Sequence, residues 1–413
     1  MWRSLKYNGT MSEYLSWSET AWATQEERLA VETKGAKLVI GVPKERDMEE
    51  NRILLNPAAV SVLVQNGHNI LVETGAGLLA GWEDREYADA GAEIAAEASA
   101  IFQCDIIAKV APPTSEEIGM MKGNQTLISA LQLRTRDRSF FKALADKKIT
   151  GIALEEVRDA EDQSALRIAM SEIAGQQAAR LGANLLADGL SGKRKGKLLG
   201  GVPGVAPASV VIIGAGVAAM SAARVARGMG AAVVILDTNI SKLRYASEQL
   251  GGTIVTELIQ DVVLKHRLAQ ADVVIGALSP VEGRTPLVVT EDMVEAMPIG
   301  SVIIDISIDS GGCFETSEIT SHRVPTFVKH DVLHYCVPNM NSAVGNTSSI
   351  AMSNIVGPLL QQLSDNGGVQ DSLHYDLNIR AGLYLYRGLL TKRHLGEHFD
   401  LPYSSDALLF GNL

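Results

Sequence analysis

An apolar strand followed by a glycine turn and a helix constrains the fold of this chain more than any other feature. The apolar run Ser209–Ile213 leads into residues 214–219 (GAGVAA), and a helical stretch then continues to Gly228. A second apolar run, Ala232–Asp237, follows and ends in an acid. Uninterrupted apolar strands joined by a crossover helix are typical of a parallel sheet that is buried on both faces. The segment therefore predicts a βαβ unit within an α/β domain.

The turn also has the spacing of a dinucleotide-binding fingerprint. Gly214 permits a tight turn, Gly216 lets the backbone approach a pyrophosphate, and Ala219 is small enough for the helix to pack on the strand. The helix N-terminus then faces the anion. Asp237 is placed to accept a hydrogen bond from a ribose 2′-OH and would repel a 2′-phosphate, so NAD is favoured over NADP. The alternative is a turn that needs small residues only for packing.

Short β-branched runs alternate with helical stretches along the chain. The predicted strands are 37–42, 69–73, 105–110, 127–131, 150–154, 209–213, 232–237, 253–255, 273–277 and 301–308. The predicted helices include 57–66, 84–90, 171–186, 218–228 and 349–363. This alternation predicts two Rossmann-like α/β domains with parallel sheets, and the cleft between them is the expected ligand site.

The composition disfavours several classes of partner. Lys and Arg number 37 against 48 Asp and Glu, a net charge of −11, which disfavours nucleic acid or an anionic membrane surface as the main partner. Three scattered cysteines form no disulfide framework, and His394 and His398 lie in an ordinary polar segment, so no metal site is expected. Residues 1–35 contain no apolar signal-peptide core, and no apolar stretch is long enough for a bilayer. We therefore expect a cytoplasmic protein.

Two acids lie near the end of the predicted strand 301–308. With a period of two, Asp305 shares a face with Ile303 and Ser307. Asp309 follows the strand and precedes three small residues. Because the carboxyl ends of parallel strands line the ligand crevice, Asp309 is placed to point at a nicotinamide. A loop aspartate that caps a turn is the other interpretation.

Several short motifs together carry a family resemblance. They are residues 41–45 (GVPKE), 50–52 (ENR), 73–77 (ETGAG), 170–175 (MSEIAG), 201–205 (GVPGV), 308–313 (IDSGGC) and 334–340 (HYCVPNM). In this order they resemble the alanine dehydrogenase family, whose pattern the NAD(P)-transhydrogenase alpha subunit shares. The resemblance covers nearly all of the chain beyond the first 37 residues.

The resemblance implies NAD-dependent oxidative deamination of L-alanine, or of a related small amino acid, to the 2-oxo acid and ammonium. It also implies a homohexamer whose substrate domain is built from both chain ends. We accordingly expect an N-terminal extension at 1–36, a substrate domain at 37–168 and 346–413, and an NAD-binding domain at 169–345.

Site residues follow from the same resemblance by position. Arg52 would bind the substrate carboxylate, a bidentate task that suits arginine, although a solvated surface arginine is the alternative. Asp309 would serve in proton transfer near the reacting carbon. The residues expected around the cofactor are Ser171, Asp237, Lys242, Asn339 and Met340.

Two departures from the family pattern affect the acid–base chemistry. The family has a catalytic Lys in a Lys-Val-Lys-Glu-Pro pattern, but residues 109–113 read KVAPP, so Ala111 takes its place. The family's catalytic His falls on Gln132, which cannot exchange a proton near pH 7. Lys109, on the same strand face as Ala111, is one candidate to reach the site, and a structural Lys109 is the other interpretation. The catalytic candidates are therefore Asp309, Lys109 and Gln132.

Two further functions remain open at this point. The chain could bind NAD(H) and pass hydride to a partner, as the transhydrogenase alpha subunit does, or it could be an NAD sensor without deaminase chemistry. Turnover of a free amino acid or 2-oxo acid separates the dehydrogenase from both.

Overall fold

A computed structural model describes residues 35–46, 49–130, 136–188, 195–252, 254–280 and 284–411. The chain forms two compact units, unit 1 from Met1–Ala165 with Ser349–Leu413 and unit 2 from Leu166–Ser348. The candidate Gln132 and residues 1–34 lie outside the described residues. Within the described ranges, no helix is long and apolar enough to cross a membrane.

The strands and helices alternate along most of the chain. The strands are β1 Val39–Val42, β2 Asn69–Glu73, β3 Glu93–Ala95, β4 Ile106–Ala108, β5 Thr126–Ser129, β6 Thr150–Ala153, β7 Ser209–Ile213, β8 Ala232–Asp237, β9 Val255–Leu258, β10 Val273–Gly276, β11 Val302–Asp305, β12 Thr326–Lys329, β13 Val332–Tyr335, β14 Leu383–Tyr386 and β15 Leu389–Leu390. The helices are α1 Pro57–Gln65, α2 Asp84–Asp89, α3 Ala98–Ile101, α4 Ser115–Met120, α5 Arg138–Asp146, α6 Ala165–Ala187, α7 Val217–Gly228, α8 Ile240–Gln249, α9 Asp261–Leu268, α10 Glu291–Glu295, α11 Gly345–Asp365, α12 Val369–Tyr375, α13 Leu377–Ala381, α14 Arg393–Phe399 and α15 Asp406–Phe410.

Each unit is built on one mixed, mostly parallel sheet. In unit 1 the strand order is β15-β14-β6-β5-β4-β1-β2-β3, and β14 and β15 are antiparallel additions. In unit 2 the order is β12-β13-β11-β10-β7-β8-β9, and β12 is the antiparallel strand. The predicted α/β class with two sheets is confirmed, although the sheets are not wholly parallel.

Both sheets reverse their winding next to their first strand. In unit 1 the chain runs from β1 outward to β3, and β4 then pairs with the other side of β1. In unit 2 it runs from β7 outward to β9, and β10 returns to the other side of β7. Open α/β sheets bind ligands at the carboxyl ends of the strands beside such a reversal. The expected ligand sites are therefore the carboxyl ends of β1 and β4 in unit 1, and the carboxyl ends of β7 and β10 in unit 2.

The sheet of unit 2 is buried on both faces, which explains its continuous apolar strands. Val210 and Ile212 pack with the alanine-rich faces of α6 and α7, whereas Val211 and Ile213 pack with α9 and α10. Burying one such side chain contributes about 1.5–3 kcal/mol. The strand β7 thus forms a rigid base for the glycine turn that follows it.

The strand expected at 301–308 is shorter than its sequence indicates. It ends at Asp305, and a 3₁₀ helix, Ile306–Ser310, follows. The Asp305 carboxylate caps this helix by accepting a hydrogen bond from the Ser307 backbone N–H. The predicted shared strand face of Ile303, Asp305 and Ser307 is therefore wrong at Ser307, and Asp309 lies in the 3₁₀ helix.

Candidate active site

The glycine turn of unit 2 has the backbone conformation that its sequence demands. Gly214 has φ +114°, and a Cβ at this position would overlap the backbone of Ala277, which follows β10. A Cβ at Gly216 would meet nothing closer than the Ser279 Oγ at 4.0 Å, so the space beside it is open. Gly216 is the N-cap of α7, and no side chain caps that helix. An open space at an uncapped helix N-terminus suits an anion such as a pyrophosphate.

Asp237 holds the turn in place from the end of β8. The carboxylate is buried, and its two oxygens accept hydrogen bonds from the Ala215 N–H at 2.7 Å and the Asn239 N–H at 2.8 Å. A carboxylate oxygen can accept a second hydrogen bond, so Asp237 can also receive a ribose hydroxyl. The residues present therefore fit a dinucleotide.

Close packing behind the turn explains its small residues. Ala219 is fully buried on α7, and a Cβ at Gly175 on α6 would overlap the Ala218 backbone. The packing interpretation and the dinucleotide interpretation thus apply to different residues of one motif.

The other predicted cofactor residues lie in three places of unit 2. Ser171 is half-buried on α6, and Lys242 is exposed on α8. Asn339 has φ +53° and precedes a 3₁₀ helix that begins with the buried Met340. The Asn339 N–H donates to Asp309 Oδ1 at 2.9 Å, so the structure brings these two candidates together. The Asp309 side chain is exposed.

In unit 1, three charged side chains meet at the carboxyl ends of β1 and β4. The Lys109 Nζ lies 2.8 Å from Glu117 Oε2 and 3.4 Å from Glu45 Oε2. Lys109 and Glu117 are each 1% exposed, and the Glu45 side chain is 5% exposed. We call these residues the Glu45–Lys109–Glu117 cluster. The contacts favour the structural interpretation of Lys109, because its ammonium faces two buried carboxylates.

Glu45 also binds the backbone where this chain departs from the family pattern. Its Oε1 accepts the Val110 N–H at 2.5 Å, and its Oε2 accepts the Ala111 N–H at 3.3 Å. Burial raises the pKa of Glu45 to about 7, against the opposing effect of the Lys109 charge. A carboxyl group that titrates near neutrality therefore lies beside Ala111.

Arg52 is a buried residue of unit 1, and this contradicts the alternative of a solvated surface arginine. It is 9% exposed, and its Nε and Nη2 donate to the two carboxylate oxygens of Glu50 at 2.7 and 2.6 Å. Two serines of α11 hold the following segment, since Ser349 Oγ accepts the Ile53 N–H and Ser353 Oγ accepts the Asn56 N–H, both at 2.9 Å. The guanidinium therefore has a fixed orientation.

Several residues of this arrangement were not predicted. They are Glu45, Glu50, Glu117, Ser349 and Ser353. Glu45 and Glu50 lie within motifs that carry the resemblance, and Glu117 completes a capping box with Thr114 at the start of α4. Serines at positions i and i+4 of a helix share one face, so Ser349 and Ser353 can contact the same neighbouring segment.

Comparison with known proteins identifies the family. The family described as alanine dehydrogenase/PNT, N-terminal domain, matches residues 41–174, and the corresponding C-terminal domain family matches residues 178–393. The chain belongs to the alanine dehydrogenase/PNT family. The resemblance inferred from the sequence motifs is confirmed.

Members of the alanine dehydrogenase/PNT family match along almost their whole length. Alanine dehydrogenase 2 of Staphylococcus aureus (strain N315) is 41% identical over 367 residues, which is 89% of this chain and 98% of that protein. Alanine dehydrogenase of Staphylococcus haemolyticus (strain JCSC1435) is 41% identical over 372 residues, 89% of this chain and 99% of that protein.

Solved structures of the family give the same fold. An L-alanine dehydrogenase matches with a TM-score of 0.83 and 36% identity, over 87% of this chain and 99% of that one. A transhydrogenase from Sinorhizobium meliloti matches with a TM-score of 0.73 at 23% identity, over 86% of this chain and 99% of that one, and supports the fold alone.

Proposed function

We propose that this protein catalyses the reversible, NAD-dependent oxidative deamination of L-alanine, or of a related small amino acid, to the 2-oxo acid and ammonium. The observation that carries the proposal is the glycine turn, held open at Gly216 and bonded to Asp237, in a chain that matches alanine dehydrogenases along its length. For alanine the balance is L-alanine, NAD⁺ and water to pyruvate, ammonium, NADH and a proton.

Unit 2 would hold the cofactor. The space at Gly216 and the start of α7 would receive the pyrophosphate, and Asp237 would bind the adenosine ribose and exclude a 2′-phosphate. Ser171, Lys242, Asn339 and Met340 are assigned to the surroundings of the cofactor. The bound nicotinamide supplies a hydride acceptor for the α-hydrogen of the amino acid.

The remaining roles are assigned to four polar side chains. Arg52, oriented by Glu50, is assigned to the substrate carboxylate. Asp309, which accepts the Asn339 N–H, is assigned to proton transfer. Gln132 occupies the position of the family's histidine and is assigned to hydrogen bonding with the substrate. Lys109 is assigned to holding Glu45 and Glu117 rather than to the substrate.

The cellular setting completes the proposal. We assign the protein to amino-acid catabolism in the cytoplasm, and we assign it a homohexameric state. Light scattering of the purified protein would measure the number of subunits. The family resemblance supports this assignment.

The test follows NADH absorbance with purified protein, ammonium and a panel of 2-oxo acids that begins with pyruvate. Rapid NADH consumption with pyruvate, and NADH formation with L-alanine but not D-alanine, is the expected result. Turnover of a different 2-oxo acid would reassign the substrate. No turnover on the whole panel, with NADH still bound in a fluorescence titration, would contradict the dehydrogenase and favour a hydride-passing or sensing protein.

A parallel run with NADPH tests the cofactor assignment. We expect at least about tenfold preference for NADH, since the Asp237 carboxylate would lie against a 2′-phosphate. Equal use of both cofactors would contradict the role of Asp237.

A further inference from the structure

A buried carboxylate at the end of β11 accepts several hydrogen bonds from the loop that follows it. Asp305 is 2% exposed. Its Oδ1 accepts the Ser307 N–H at 3.0 Å, and its Oδ2 accepts the Cys313 N–H at 3.1 Å and the Ser317 hydroxyl at 2.8 Å. The Cys313 thiol also donates to Oδ1, at 3.8 Å. One side chain therefore binds both ends of the segment 307–313.

The backbone around this carboxylate leaves no room for larger residues. A Cβ at Gly276, the last residue of β10, would lie 3.0 Å from Asp305 Oδ1 and 2.6 Å from the Cys313 Sγ. A Cβ at Gly312, which has φ +75°, would lie 2.7 Å from Asp305 Oδ2. The two glycines allow β10 and the loop to enclose the carboxylate.

The loop enclosed in this way carries Asp309. Besides Asp305, the Ser307 hydroxyl bonds to the backbone of Leu278, and the Ser310 carbonyl accepts the Thr285 N–H at 2.9 Å. Asp309 lies between these two points and accepts the Asn339 N–H. The position of the Asp309 carboxylate is therefore set by a loop whose ends converge on Asp305.

We propose that Asp305 is a positioning residue. Its carboxylate keeps the segment 307–313 closed, and this holds Asp309 in its contact with Asn339, in the position from which Asp309 transfers a proton. The proposal rests on the proposed function for its kinetic consequences. Its structural consequence, the fixed contact between Asp309 and Asn339, is independent of any turnover.

Protonation of Asp305 would change the hydrogen bonds of this arrangement. Burial raises the pKa of Asp305 to about 6, and the hydrogen bonds from Ser317, Cys313 and Ser307 oppose the rise. The titratable groups that face it are the Cys313 and Cys336 thiols, and burial raises the pKa of both. A protonated carboxyl group has one oxygen that donates, which conflicts with the donors already aimed at it. The hydrogen-bond geometry around the carboxyl group therefore changes as the pH falls through about 6. Because the enclosed carboxyl group binds its proton more tightly than an exposed one, protonation alone does not open the segment.

The test compares Asp305→Asn with Asp272→Asn in the full-length protein. Asp272 is a matched control, because it is 6% exposed, precedes β10 at the opposite end of the same sheet, and accepts the Ser209 N–H at 2.9 Å. We expect Asp305→Asn to lower kcat about 10- to 100-fold, since small misplacements of reacting groups cost that much. Its KM for NADH should change less than about threefold, and the acid limb of kcat near pH 6 should disappear. Asp272→Asn should keep kcat within about threefold and retain the limb.

Hydrogen exchange separates this proposal from the proposed function. In Asp305→Asn the Cys313 and Asn339 amides should exchange at least about tenfold faster than in the wild type, whereas Asp272→Asn should accelerate the Ser209 amide instead. These readouts apply even if the wild type turns over no amino acid. Wild-type exchange at Asn339, or a wild-type kcat, in Asp305→Asn would overturn the proposal.

A milder variant keeps the proposal testable if Asp305→Asn does not fold. Ser317→Ala retains the carboxylate and removes a hydrogen bond that lowers the pKa of Asp305. The acid limb of kcat should therefore move to higher pH, and Asn339 exchange should accelerate at pH 8 more than at pH 6, because the lost hydrogen bond stabilises the ionised carboxylate. An unmoved limb together with unchanged exchange would overturn the proposal.

Discussion

Replacing Lys109 with Met separates a structural lysine from a catalytic one. Methionine has a similar length, so the change removes the ammonium and leaves little cavity. Glu45 and Glu117 would then remain buried without the charge that now lies 3.4 and 2.8 Å from them. Removing one partner of a buried ion pair costs about 3–5 kcal/mol. We expect the variant to lose this much stability at pH 8, with the loss concentrated in unit 1.

The loss should depend on pH, with a sign set by Glu45. Its pKa rises from 4.5 in the unfolded chain to about 7 in the folded protein, so the folded state binds the proton more tightly. At about 1.4 kcal/mol per pKa unit, roughly 3.5 kcal/mol of stability present below pH 4.5 is lost as the pH rises through 7. Without Lys109, which lowers the pKa of Glu45, the loss extends above pH 7. The deficit of Lys109→Met should therefore be larger at pH 8 than at pH 5.

Urea unfolding followed by tryptophan fluorescence measures this deficit. Trp82, the tryptophan within the described residues, lies in unit 1 and reports on it. Lys142→Met is the control, because Lys142 pairs with Asp146 on the exposed face of α5 and should cost no more than about 0.5 kcal/mol. A Lys109→Met variant with wild-type stability at pH 8 and a kcat lowered 100-fold would refute the structural role. Adding Glu117→Gln should restore part of the lost stability.

Three further substitutions have defined outcomes. Gly214→Ala, at φ +114° and against the Ala277 backbone, should weaken NADH binding at least about tenfold in a fluorescence titration, and unchanged affinity would contradict the dinucleotide site. Asp237→Ser should raise the Kd for NADH and lower the preference for NADH over NADPH. An unchanged ratio of the two Kd values would argue against ribose binding by Asp237. Ser353→Ala leaves the buried Asn56 N–H without its acceptor and should cost about 1–3 kcal/mol in urea unfolding.

Local patterns predicted much of the fold. The strands β7 and β8 occur at the predicted residues, because each is a complete apolar run bounded by turn residues. The antiparallel strands β14 and β15 were not predicted, since their position follows from pairing with β6, far earlier in the chain. The early end of β11 results from the capping hydrogen bond of Asp305, which an apolar pattern does not reveal.

The candidate site was predictable only in part, for a similar reason. The fingerprint residues Gly214 and Asp237 lie in one local βαβ unit, so their spacing indicates one shared site, and the Asp237 carboxylate accepts the Ala215 N–H. The contacts of Lys109 depend on Glu45, which follows another strand, β1, and no local pattern indicates that pairing. The order of the strands in the sheet decides which side chains lie next to Lys109, and so whether it faces a substrate or a carboxylate.

The strand order of unit 1 has a consequence for synthesis on the ribosome. One edge of β6 pairs with β14, as at Ile152 with Leu383. Because β14 is near the C-terminus, this edge stays unpaired until nearly the whole chain has emerged. Unit 2 is encoded between the two parts and contains all of its own strands. During synthesis unit 2 can therefore fold first, while unit 1 presents an unpaired strand edge of the kind that aggregates. Chaperones that bind the nascent chain would therefore be needed mainly for the N-terminal part of unit 1.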